Sequence, residues 1–180
     1  MRVTWRPFEL NQHMPKAGMD RRAYRSRKFG SWAQSQRLDA EVATVGAQEG
    51  LAFHHERMMR TPNTFDAHRL IWLAGREGVR DAVVEALFRA YCTDGRDISD
   101  PLMVAEVASG AGIDADRAQA FLANDDGAAD VSGAEMSAHG LRVSGVPAFM
   151  VDGRELFTGA QRAELMASQL RRAAVSHVTN

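Results

Sequence analysis

Cysteine is the scarcest informative residue in this sequence: Cys92 is the only one in 180 residues. One thiol excludes an intramolecular disulfide, a disulfide-stapled scaffold, and a dithiol that cycles within the chain. Long apolar runs are also lacking, and none approaches the roughly 18 residues that a membrane helix needs. The opening Met1-Arg2-Val3-Thr4-Trp5 has neither the apolar core nor the small-residue cleavage site of a secretory signal. With the single cysteine, this predicts a cytoplasmic protein. Charge of one sign is equally scarce, since Lys+Arg 22 against Asp+Glu 23 leaves a net charge of −1. That balance gives no electrostatic reason to expect nucleic acid or an acidic membrane as partner. The one local imbalance, Arg21, Arg22, Arg25, Arg27 and Lys28, reads as a solvated helix face.

What is present is ordinary globular composition, 45% apolar and 25% charged, in a chain long enough for one domain carrying a helical insertion. Residues 3 to 10 are compatible with a strand. The middle then reads as helical. Trp32, Leu38, Val42 and Val45 recur at helical spacing, and a loop at 60–64 follows, with Thr64 or Asp66 as N-cap. One apolar helix around Leu70 ends near Gly78 and another around Val83 ends near Gly95. Asp100-Pro101 marks a helix start, Asp114 caps a short helix, and a further helix runs from about Gly127 to His139. In the last helix, Leu165, Met166 and Leu170 are expected to face inward.

The densest signal lies at 143–161. Pro147 opens an apolar run, where its missing N–H is tolerable at a strand start or edge. Asp152-Gly153 supplies a tight hairpin turn, Arg154 to Phe157 forms the returning strand, and Gly159-Ala160 hands over to a helix. The stretch resembles the carboxy-terminal hairpin of the thioredoxin superfamily, in its DsbA-like branch that includes the FrnE proteins. The resemblance extends along the chain. Trp5-Arg6-Pro7-Phe8-Glu9-Leu10-Asn11, Met14-Pro15 and Lys28-Phe29-Gly30-Ser31 are similar to the family's second strand and the segment after it. Arg60-Thr61-Pro62-Asn63-Thr64, Ala67-His68-Arg69-Leu70 and Asp94-Gly95-Arg96-Asp97-Ile98 match the wording of FrnE-type insertions, and Gln12 stands where many relatives have proline.

The resemblance implies an α/β, thioredoxin-like fold with a large helical insertion. Residues 1–180 then form a single, partial DsbA-like domain with the insertion at approximately 19–140. Members begin with a strand and a helix carrying a Cys-x-x-Cys or Ser/Cys centre, and both are absent from this sequence. The implied activity is that of a thiol–disulfide oxidoreductase, inactive as written, with no catalytic residue in the chain and no cofactor. Alternatives are a glutathione-dependent isomerase or kappa-type transferase homologue, and a non-enzymatic peptide-binding fragment. By resemblance the Val146–Pro147 bond is cis, and Gly145, Val146 and Pro147 form an edge that aligns a peptide, a protein thiol or disulfide, or glutathione. Asn63 and Thr64 lie in the loop that leans over this cleft, where they bind substrate or simply cap a helix. The family's first strand lies between the strand at 3–8 and the one at 149–151, so its absence implies exposed edges and self-association.

Other chemistry is thin. Cys92 sits at a helix C-terminus, which disfavours a reactive thiolate. His54-His55-Glu56 would diverge on a strand, while Glu135 and His139 share a helix face as a surface pair. No specific metal site is expected. His68 is assigned to packing within the insertion.

Overall fold

The computed structural model describes residues 3–176 and divides into two compact units, 11–131 and a second made of 1–10 with 132–180. In chain order the elements are β1 (Met19–Asp20), α1 (Arg21–Phe29), α2 (Trp32–Gln48), β2 (Arg60–Thr61), α3 (Phe65–Glu77), α4 (Arg80–Phe88), α5 (Pro101–Gly110), α6 (Ala115–Leu122) and α7 (Ala128–Gly140). They continue with β3 (Ala148–Val151), β4 (Arg154–Thr158) and α8 (Ala163–Ser176). A 3₁₀ turn covers His55–Arg57, and a π-helical turn, Arg89–Thr93, extends α4.

The unit of 11–131 is built from helices whose ends are set locally. The side chains of Asp20, Ser31, Asp100 and Asp114 each accept a backbone N–H in the first turn of α1, α2, α5 and α6. Pro101 occupies the first position of α5, where its missing N–H costs nothing. Gly78 ends α3 with φ 80°, a left-handed cap that a side chain would strain. Apolar faces of α3 to α6 then close one core, in which Leu70, Val83, Val104, Ala108 and Ala118 are fully buried. Each buried Leu or Val side chain contributes about 1.5–3 kcal/mol by leaving water.

Arg69 ties this core to the turn after α6. It is 3% exposed, with Nε donating to Asp126 O at 3.0 Å, Nη1 to Asp66 Oδ1 at 2.8 Å, and Nη2 to Phe121 O at 2.9 Å and Asn124 O at 2.5 Å. Its guanidinium also lies 5.1 Å from the centroid of the Phe121 ring. Three carbonyls that no helix can satisfy thereby find a donor.

The second unit contains the β3–β4 hairpin, α8 and the end of α7. Asp152 (φ 50°) and Gly153 (φ 76°) form the two-residue turn with positive φ at both positions that matches the twist of the flanking strands. The ladder pairs Val151 with Arg154, Met150 with Glu155, Phe149 with Phe157 and Ala148 with Thr158, leaving Leu156 as the extra residue of a bulge in β4.

Three expectations about the fold need correction. Residues 3–9 form no strand, because no described segment offers them a ladder; the Glu9 N–H is instead satisfied by Glu135 Oε1 at 3.0 Å. Leu165 is 43% exposed, since helical periodicity says which residues share a face and not which face is covered. Thr64 is the N-cap residue of α3, as expected, but its side chain makes no bond to the helix; Asn63 Oδ1 accepts the Phe65 N–H at 3.0 Å instead, and the carboxylate of Asp66 is engaged by Arg69. The basic run is not a wholly solvated face, as Arg21 is 5% exposed.

Replacing Arg69 should leave Asp66 and three carbonyls without their buried donor. Arg69→Met is expected to cost about 3–5 kcal/mol in urea unfolding, as for one partner lost from a buried ion pair. Arg69→Lys should recover little, because one ammonium cannot reproduce the planar fork. A loss below about 1 kcal/mol would show that the clamp is dispensable.

Candidate functional site

The residues proposed to align a peptide begin where α7 ends. Val143 is buried, whereas Val146 is 45% exposed immediately before Pro147. The Val146–Pro147 peptide bond is cis. Pro147 O accepts the Gly159 N–H at 2.8 Å, which anchors the start of β3 to the end of β4. Beyond it Phe149 and Phe157 stack with centroids 4.4 Å apart, and Phe157 is buried. The result is a stiff strand entry with an exposed residue just ahead of it.

Asn63 and Thr64 fall in the other unit, so the five residues form two contiguous sets, each held by its own surroundings. The Asn63 amide works at both ends: Nδ2 donates to Met14 O at 2.9 Å while Oδ1 holds the first turn of α3. That leaves Asn63 one N–H and one lone pair for any further partner. Thr64 O accepts from the His68 N–H at 3.0 Å in the ordinary helical manner.

Cys92 lies within the π-helical turn and is half-buried, and its carbonyl accepts the His54 N–H at 2.9 Å. Burial pushes its thiol pKa up, with the nearby Arg21 charge pulling only partly the other way. A thiol so placed is a poor nucleophile at neutral pH.

Around it is a polar cluster that charge counting along the sequence does not reveal. Arg21 Nη2 and Arg25 Nη2 reach the two oxygens of Asp39 at 2.8 and 2.6 Å, and Arg25 Nε donates to the buried Ser35 Oγ at 2.5 Å. Tyr91 donates to Arg60 O at 3.3 Å and is held neutral by burial, which raises its pKa against the pull of Arg21. Burial lowers the pKa of His55; Asp39 opposes that shift and the charges of Arg21 and Arg25 reinforce it. The i, i+4 spacing of Arg21 and Arg25 was visible in the sequence. Their acceptor, 18 residues from Arg21, was not.

Among the described residues no group of three or more His, Cys, Asp or Glu converges as a metal site. His54 Nδ1 and Glu56 Oε1 are 3.0 Å apart on a 3₁₀ turn, so this segment is a turn and not the strand geometry expected of it. Glu135 is 6% exposed and no surface residue; burial raises its pKa against the Glu9 N–H and His139. The His139 ring packs 5.0 Å from that of Phe8.

The His55 environment predicts a pH dependence. Its folded pKa lies below the ordinary 6.5, so the stability it contributes is complete above 6.5 and is lost as pH falls through the folded value. Glu135, raised above its ordinary 4.5, acts in the opposite sense, its contribution being lost as pH rises. Only a difference between two proteins isolates His55. The wild type should therefore lose urea midpoint relative to His55→Phe, which keeps the ring against Phe53, between about pH 7 and pH 5. Parallel profiles for the two proteins would remove His55 from the account.

The model of the DSBA-like thioredoxin domain matches residues 1–171 of this chain. Among solved structures, a probable DsbA oxidoreductase from Streptomyces coelicolor is 34% identical over 93% of this chain and 73% of its own, with a TM-score of 0.86. A 2-hydroxychromene-2-carboxylate isomerase is 16% identical over 98% of this chain and 83% of its own, with a TM-score of 0.73, a likeness of fold alone. No curated protein matches the chain.

Proposed function

The chain belongs to the DSBA-like thioredoxin-domain family, and from that premise we propose that it is a thiol–disulfide oxidoreductase homologue whose 180 residues align a substrate without completing a redox cycle. The observation that carries this reading is the thiol inventory. Exchange needs an attacking thiolate and a second thiol that resolves the mixed disulfide, and Cys92 is a single thiol made less acidic by burial. Alignment is a separate task. Val146, exposed before Pro147, offers backbone groups to an extended peptide, a protein disulfide or glutathione, in the manner of strand addition. Gly145 leaves the approach unobstructed, since a Cβ built there would meet nothing within 4 Å.

Asn63 and Thr64 enter this reading as secondary contacts, with the Asn63 amide already committed at both ends. No helix among the described residues is long and apolar enough to cross a membrane. A single cysteine suits a reducing compartment, and we place the protein in the cytoplasm. The outer edge of the β3–β4 hairpin is where we place self-association of the chain.

The purified 180-residue protein should not accelerate reduction of insulin by dithiothreitol, and Cys92→Ser should change neither that result nor the melting temperature appreciably. Modification of Cys92 by a thiol reagent should run slower in the folded protein than in urea, since burial raises the thiol pKa and lowers the thiolate fraction. Turnover of insulin that disappears in Cys92→Ser would overturn the reading.

A further inference from the structure

We propose that the groove between α3, α6 and the first turn of α7 binds a linear aliphatic polyamine. The groove has a volume of about 780 Å³, within the range of about 300–1,000 Å³ typical of small-molecule sites, and its lining lies wholly in the unit of 11–131. It takes no part in the peptide alignment proposed above, so the two readings stand or fall separately.

The floor is apolar and aromatic. Leu73 and Ala120 line it from α3 and α6, and the rings of Trp72 and Phe121 stack with centroids 6.1 Å apart and 14° between their planes. Gly127 borders the rings, and a Cβ there would lie 3.0 Å from both, so no side chain from the turn covers them at that point. Methylene groups laid on this floor leave water, and an ammonium beside the rings is attracted by their π-electrons.

The polar groups of the lining set the sign and the spacing of the charge it takes. The carboxylates of Asp116, Asp126 and Asp130 are exposed and have no hydrogen-bond or ion-pair partner among the described residues. The cations beside them are committed: Arg117 pairs with Glu77, and the Arg76 guanidinium lies 5.0 Å from the Trp72 centroid. With the Arg117–Glu77 pair neutral, three carboxylates against Arg76 leave the lining with two negative charges uncompensated. A metal ion does not meet this need, because among the described residues no group of three or more His, Cys, Asp or Glu is placed to hold one. Asp116 sits in the first turn of α6 and Asp126 beyond its last residue, so roughly 9 Å of helix separates them at 1.5 Å per residue. Two charges held that far apart over an apolar floor match a ligand with ammonium groups at its ends and methylenes between. A protein lysine, with a single ammonium, reaches only one end.

Titration calorimetry of the whole chain with spermidine, at low ionic strength where exposed carboxylates are least screened, should show saturable one-to-one binding. Butylamine, with one ammonium, and magnesium, with its charge at one point, should bind at least about tenfold more weakly. Spermidine should shift the indole N–H resonance of Trp72 and leave that of Trp32, which does not line the groove, in place. Asp116→Asn, and separately Asp126→Asn with Asp130→Asn, should each weaken spermidine at least about tenfold, since each strips one end of the groove while keeping side-chain size. Glu49→Gln, which removes the same charge beyond the end of α2, should leave the affinity within about twofold. Absence of saturable binding, binding that leaves the Trp72 resonance unmoved, equal binding of butylamine or magnesium, or an equal loss in Glu49→Gln would each overturn the proposal. The comparison of ligands and the Trp72 resonance are read on the wild-type chain, so they decide the matter even where an asparagine variant fails to fold.

Discussion

Three carbonyls, that of Phe121 in the last turn of α6 and those of Asn124 and Asp126 just after it, share a single donor side chain. Arg69 supplies it from the middle of α3 while its remaining nitrogen holds Asp66 on the same helix. A buried carbonyl left without a donor costs about 1–3 kcal/mol, so three of them exceed what one core leucine contributes. The clamp also fixes Gly127, where a Cβ would lie 3.0 Å from both Phe121 and Trp72. Guanidinium geometry, glycine and stacked rings therefore form one unit, and α3, α6 and the start of α7 take their places from it.

The second polar centre has a different logic. Arg21 and Arg25 share one carboxylate, which leaves the cluster with a positive charge over and above Asp39, and Arg21 Nε is buried without a hydrogen bond. Nearby groups respond in the direction that field demands: Arg21 and Arg25 both oppose protonation of His55, and Arg21 favours the anionic forms of Tyr91 and Cys92. Burial outweighs that charge at Tyr91 and Cys92 and adds to it at His55, so each is kept in its neutral form. Proximity to an arginine thus does not make Cys92 a thiolate, because desolvation is the larger effect at this position.

How much of this was legible in the sequence depends on the range of the interaction involved. Caps and turns act over two to four residues, and Asp100-Pro101, Asp114, Gly78 and Asp152-Gly153 sit at the element boundaries their chemistry implies. Pairing acts across the chain and leaves no local trace. Residues 3–9 alternate like a strand but have no ladder, whereas Met19–Asp20 and Arg60–Thr61, which carry no strand pattern, pair with each other. Burial of charge is non-local for the same reason, so Arg21 reads as solvated until Asp39 is brought to it. The π-helical turn around Cys92 is likewise invisible, since it adds one residue per turn without changing composition. At the candidate site the sequence picks out Val146–Pro147 and Asn63–Thr64 by resemblance, and says nothing of the Met14 carbonyl that already occupies the Asn63 amide.

Separating alignment from attack clarifies what this chain can do. Strand addition needs only backbone groups held at the right spacing, and on the proposed reading a hairpin fastened by its turn, its stacked phenylalanines and the Gly159–Pro147 bond would provide them without any reactive side chain. Disulfide exchange needs an activated thiolate beside that edge and a second thiol to release the product, and both demands fall on a kind of group the chain holds once, half-buried in its helical unit. An edge without a nucleophile is not inert, because open peptide groups flanked by apolar faces gain from any strand that covers them. On the proposed reading, the backbone that suits β3 for recognition is also what would favour association with another copy of the chain.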